Sequence, residues 1–106
     1  MKVQHNSEVN TRFFVTIRKI LAPLAGPNNL KVELVLAVLE ARLNKLNNEL
    51  SEGMDTDEAF RLTMRTMDKA IATLTKILGV SARLAVCEAI LATGITNKVN
   101  HEAIAA

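Results

Sequence analysis

Tryptophan and tyrosine are absent from this chain of 106 residues, and three phenylalanines bring the aromatic share to only 3%. Single-stranded nucleic acid is usually held by stacking on aromatic side chains, so that mode of binding loses its ordinary means. Two prolines and four glycines are too few for a turn-rich β-fold, and no stretch of alternating β-branched residues occurs. The single cysteine, Cys87, has no internal partner, so the fold does not depend on an oxidising compartment. A formal charge of +2 is too small by itself to imply a polyanionic partner. The first ten residues lack the apolar core of a signal peptide, and Arg18 and Lys19 interrupt the apolar stretch that follows. The expectation is therefore a cytoplasmic protein without a membrane partner.

Hydrophobic residues nevertheless make up 49% of the chain, so an aliphatic core is expected in what is one domain's worth of sequence. Two apolar series share a 4-3-4-3-4 spacing: Val32, Leu36, Leu39, Leu43, Leu46 and Leu50, then Phe60, Met64, Met67, Ile71, Leu74 and Leu78. An average step of about 3.5 residues draws a narrow seam along one side of a helix. Ser51 to Asp57 lies between the two series and is long enough only for a reversal. The spacing predicts an all-α fold built on an antiparallel helical hairpin of two long helices, extended into a bundle by shorter flanking helices and by dimerisation.

Punctuation residues place the elements. Residues 1–7 read as a flexible lead-in, and Ser7 as the cap of helix 1 over 8–25, with Val9, Phe13, Ile17, Ile20, Leu21 and Leu24 on one face. Pro23 ends or bends this helix, and Gly26-Pro27-Asn28-Asn29 separates it from a helix over 30–51. Gly53 suits the left-handed position just past that helix. Asp55 followed by Glu58 forms a capping box for a helix over 57–78, and Gly79 stops it. Ser81 opens a shorter helix that Gly94 ends, and Thr96 or Asn97 caps a last turn, so that 81–106 holds short C-terminal helices.

Helix 2 has more apolar surface than one seam requires. Leu34, Val35, Leu36, Ala37, Val38 and Leu39 are consecutive and cover every face. Burial of one Leu or Val is worth ~1.5–3 kcal/mol, so a partner is expected to cover what one neighbour cannot. Helix 1 is one source of cover, and a second copy in a homodimer is the other. On helix 3 a stripe of Thr63, Thr66, Ala70 and Thr73 leads to Ile77. It admits close approach of another helix, or forms a weakly polar shoulder; spacing alone leaves both open.

Catalytic and metal chemistry find little support. His5 and His101 have no Cys, His or carboxylate at ligand spacing. Cys87, beside Glu88, has no neighbouring His and reads as a small core residue. Asp55, Asp57 and Glu58 are explained by a helix start. The basic residues Arg42, Lys45, Arg61, Arg65 and Lys69 fall mostly off the seams, so no polar pocket is expected inside the bundle. The expectation is a non-enzymatic protein with no cofactor and no metal.

Arg61, Arg65 and Lys69 follow at four-residue steps and define a candidate nucleic-acid contact, interrupted by Asp68. Leu78-Gly79-Val80-Ser81 is similar to the turn of a helix-turn-helix, although Glu88 stands where that motif needs an apolar residue. Ile90 to Lys98 looks like the opening turn of LuxR-type DNA-binding domains, with no recognition helix after it. A DNA-binding regulator is therefore the competing class.

Pro27 to Leu50 and Glu58 to Gly79, above all Thr73-Leu74 and Ile77-Leu78-Gly79, resemble the TraM family of quorum-sensing antiactivators. The resemblance covers under half of the chain and has no counterpart for Val80 to Ala106. It implies a small helical dimer that binds and inactivates a LuxR-type transcription factor; no functional residue carries over. Together these readings favour a regulator that sequesters or inhibits a protein partner by helix-in-groove contact. The segments after Gly79 are the part most open to that partner.

Overall fold

The computed structural model describes the backbone of residues 2–96 and the side chains of residues 8–96. Among these residues there is no strand. The elements are α1 (Lys2–Ala25), a 3-10 turn (Gly26–Asn28), α2 (Asn29–Ser51), α3 (Thr56–Leu78) and α4 (Val80–Thr93). The chain is all-α, as its composition predicts. Each helix packs against the next, and α4 returns to pack against α1. The body measures 42 × 20 × 19 Å. That long axis slightly exceeds the ~34 Å of a 23-residue helix, so the long helices run along it. A helical bundle thus closes within one chain, with α1 packed on α2 and α4, and α3 packed on the same two helices.

The helices start earlier than expected, while α1, α2 and α3 end where expected. The N-terminal segment is helical from Lys2, not from residue 8, so Ser7 lies inside α1 rather than at its cap. No Gly or Pro between Lys2 and Asn6 opposes that extension. Pro23 sits inside the last turn of α1, and the helix stops at the expected bound, Ala25, where Gly26 takes φ 48°. Asn28 is the N-cap of α2 but makes no side-chain cap bond. α4 opens at Val80 directly after Gly79, so Ser81 is not its cap. The last turn expected around Asn97, and the rest of the tail, lie outside the described residues.

Two of the three helix junctions follow from local chemistry. At the end of α2, Gly53 has φ 113°, its N–H donates to the Leu50 carbonyl (3.1 Å), and the Met54 N–H donates to the Glu49 carbonyl (3.0 Å). This pair of bonds is a Schellman stop, and Met54 completes it by packing with buried Leu50 and Ala59. Asp55 then accepts the Glu58 N–H at 3.1 Å and starts α3. At the junction of α3 and α4 one residue suffices. Gly79 has φ 83° and ψ −170°, a region that essentially only glycine visits.

The core joins Val9, Phe13, Phe14, Ile17 and Leu21 of α1 with buried residues from the other three helices. Phe13 and Phe14 are sequence neighbours, yet both are buried, because α1 has α2 on one side and α4 on the other. Their rings meet edge to face, 5.1 Å apart. Leu24, expected on the inner face of α1, is 41% exposed, and Ile20 is half-buried. Opposite these bulky residues α4 buries only Ala82, Ala85, Val86 and Ala89, a pairing of large with small that fills space without overlap. Arg18 clamps α1 to α2 from outside, with Glu33 at 3.3 Å, Glu40 at 3.9 Å, and the Phe14 ring beneath its guanidinium at 5.8 Å.

Candidate interaction groove

The seam on α2 faces inward: Val32, Leu36, Leu39, Leu43 and Leu50 are buried and Leu46 is half-buried. On α3 the inner face is Ala59, Thr63, Met67, Ala70 and Leu74. Of the expected seam on that helix, Met67 and Leu74 are buried and Phe60, Ile71 and Leu78 are half-buried, while Met64 is 37% exposed. The stripe of small residues therefore divides. Thr63 and Ala70 enter the core, Thr66 and Ile77 are half-buried, and Thr73 faces solvent.

What remains outside is a groove of about 630 Å³ between α2 and α3. Its α2 wall is Leu34, Val35, Val38, Leu39 and Arg42; its α3 wall is Thr66, Lys69, Ala70, Ala72 and Thr73. Leu34 is 61% exposed and Val38 53%, so the consecutive apolar run of α2 is covered only in part by α1 and α3. The threonines make the opposite wall apolar. Thr66 donates its hydroxyl to the Leu62 carbonyl at 2.7 Å, and Thr73 donates to that of Lys69 at 3.0 Å. Each has used its one donor within the helix, which leaves its methyl as a surface for contact.

The only charged side chains on the lining are Arg42 and Lys69, both positive. Neither wall contributes a carboxylate, imidazole or thiol. The arrangement can bind an apolar ridge bordered by negative charge; it does not present the paired acid and base that proton transfer needs. From Leu34 to Arg42 the groove spans about 12 Å, which matches two turns of a docked helix. A second recess, about 210 Å³ beside α1, is bordered by Arg18 and Glu33, which pair with each other.

The other candidates are dispersed. Arg61, Arg65 and Lys69 are all exposed on α3, as is Asp68 among them, so the basic row is a real surface feature. Arg42 and Lys45 are exposed too, and Lys45 faces Glu49 at 3.9 Å. Glu88 points to solvent on α4, where a helix-turn-helix would need an apolar contact. Cys87 is exposed rather than in the core, because α4 turns its alanines inward. Among the described residues no group of three or more His, Cys, Asp or Glu is placed to hold a metal. None of their helices is long and apolar enough to cross a membrane. The side chain of His5, and all of His101, fall outside the described set.

Inside the bundle are polar residues that the apolar spacing hides. Asn10 and Asn47 are about 95% buried, and the Asn10 amide donates to the Asn44 side chain at 3.4 Å between α1 and α2. Thr63 is buried as well and donates to the Ala59 carbonyl at 2.8 Å. Their one signal in the sequence is a polar residue at a seam interval, Asn47 lying four after Leu43 and three before Leu50. Compared with protein families, curated proteins and solved structures, the chain matches none.

Proposed function

We propose that this chain is a small, non-enzymatic regulatory protein that binds another protein, and that the α2–α3 groove seats an acidic amphipathic helix of that partner. The observation that carries this reading is the exposure of Leu34 and Val38, 61% and 53%, beside an apolar groove whose charges are Arg42 and Lys69 alone. Leaving two large aliphatic side chains in water forgoes a few kcal/mol of burial, which a docked ridge recovers. The resemblance to TraM-type antiactivators adds a class of partner, a transcription factor held in an inactive complex. In this reading α2 and α3 form an antiparallel hairpin, the protein works in the cytoplasm, and it does so as a homodimer. Because the seam residues already serve the chain's own core, the second copy must use an outer face.

Affinity capture from the native host, followed by mass spectrometry, tests the reading. A partner retained by the parent and lost from Leu34→Glu with Val38→Glu is the expected result. Equal capture by both proteins would remove the groove from the interaction. The exposed row of Arg61, Arg65 and Lys69 supports a second reading, DNA binding. Gel retardation at low salt, abolished by Arg61→Glu with Arg65→Glu, is its expected signature; no retardation at low salt eliminates it.

A further inference from the structure

α4 is apolar on two opposite faces. Ala82, Ala85, Val86 and Ala89 are buried against α1 and α3. Val80, Leu84, Cys87 and Leu91 are not: Val80 is 67% exposed, Leu84 66% and Leu91 85%, with the Cys87 thiol also at the surface. At ~100° per residue, the midlines of the two sets lie about 180° apart, so the second stripe points straight out of the bundle. Its 4-3-4 steps are those of a coiled-coil seam, and no helix of the described chain lies on it. Arg83 borders one edge and Glu88 the other, both exposed.

We propose that this stripe binds the same stripe of a second copy, α4 lying parallel to α4 about a two-fold axis. The proposal rests on the dimer reading above and assigns it a face. Charge selects the direction. In parallel pairing the Arg83 edge of each copy meets the Glu88 edge of the other, and it does so twice. The five-residue offset between them is that of the flanking positions which bridge parallel coiled coils. Antiparallel pairing sets Arg83 edges together and Glu88 edges together, which is repulsive on both sides. The parallel arrangement also stacks like on like along the seam, bringing Cys87 to Cys87 between layers of Leu84 and Leu91. Antiparallel pairing places Cys87 against Leu84 instead. Residues 80–91 offer only about three turns, so the interface is small and the dimer is expected to be weaker than about micromolar.

Sedimentation equilibrium of the full chain up to about 1 mM, with a short bismaleimide cross-linker as a second probe, tests this. The parent is expected to move from one-chain to two-chain mass as concentration rises, and to cross-link through Cys87. Leu84→Glu with Leu91→Glu should stay at one-chain mass with an unchanged thermal melt, since both side chains are exposed. Arg83→Glu should weaken the dimer roughly tenfold, and Arg83→Glu with Glu88→Arg should restore it. A dimer that survives the leucine substitutions overturns this face and leaves the dimer reading standing. A dimer sensitive to them but not linked through Cys87 overturns the parallel direction. One-chain mass throughout overturns both the face and the dimer; slow alkylation of Cys87 in that monomer would point to residues 97–106 as the cover.

Discussion

The two long helices have equal length, 23 residues each, and near-identical apolar spacing, yet they meet the core in opposite ways. α2 buries large residues, Leu36, Leu39, Leu43 and Leu50, along its heptad seam. α3 buries mainly small ones, Ala59, Thr63 and Ala70, with Met67 and Leu74 as its only large contributions. Its larger apolar residues Phe60, Ile71 and Leu78 sit on the shoulders, half-buried. Big side chains on one helix and small ones on its neighbour let the backbones approach and fill the interface at crystal-like density. Spacing, then, marks which residues are able to line a seam; the volumes on the facing helix decide which of them do.

That contrast predicts a ranking of substitutions by thermal or urea denaturation. The largest effect belongs to a charge inside the α2 seam. Leu39→Asp or Leu43→Asp places a carboxylate where less than 5% of the residue is exposed, and is expected to cost about 4 kcal/mol or more, enough to abolish a cooperative transition in a small domain. Thr73→Asp, on the exposed part of the α3 stripe, should stay within about 0.5 kcal/mol. Parent-like melts for both leucine variants would remove α2 from the core.

Truncations come next. Leu36→Ala leaves a cavity at a site only 1% exposed and should lose about 2–5 kcal/mol. Enlarging the α3 side tests the complementary half: Ala59→Leu, at a position with 0% exposure, is expected to lose about 1–3 kcal/mol through overpacking. If Ala59→Leu stabilises, α3 does not approach its neighbours closely, and its small residues are not the reason for its register.

How each helix ends supplies the next comparison. α2 stops over four residues, Glu52 to Asp55, with a Schellman pair and a cap to share the junction. α3 stops in one. Nothing lies within 4 Å of a Cβ added at Gly79, so Gly79→Ala is a purely conformational change. The φ of 83° and ψ of −170° predict a loss of about 1–3 kcal/mol. A melt unchanged from the parent would mean that α3 and α4 join with a different backbone.

Much of this architecture is visible in the residues themselves. Gly53, Asp55, Gly79 and Gly94 announce their helix ends because each acts through its own backbone or the next turn. The α2 seam is visible because its leucines keep 4-3 steps from Val32 to Leu50, whereas the off-seam apolar run ends at Leu39. Three features were not. α1 continues upstream of Ser7, since a favourable cap does not prevent a helix from starting earlier. The groove needed two helices at once: the apolar run of α2 and the small stripe of α3 are each apparent, but their union depends on which part of each the bundle leaves open. The outer stripe of α4 was hidden by its inner one, because a helix apolar on two opposite faces shows no single periodic signal.

Met64 is where spacing and volume disagree most sharply, and its truncation is expected to have the smallest effect of those that remove a seam side chain. By spacing it belongs to the same seam as Met67, three residues on, and the two carry the same side chain. By position they differ: Met67 is 1% exposed and Met64 37%. Met67→Ala should therefore lose about 2–5 kcal/mol, while Met64→Ala should lose less than about 1 kcal/mol, its side chain having little cavity to leave. Because the chemistry removed is identical, helix propensity and unfolded-state effects largely cancel between the two variants, and the difference reports burial. Equal losses would mean that α3 turns its larger stripe inward and its threonines outward, which would rebuild the groove wall as well as the core.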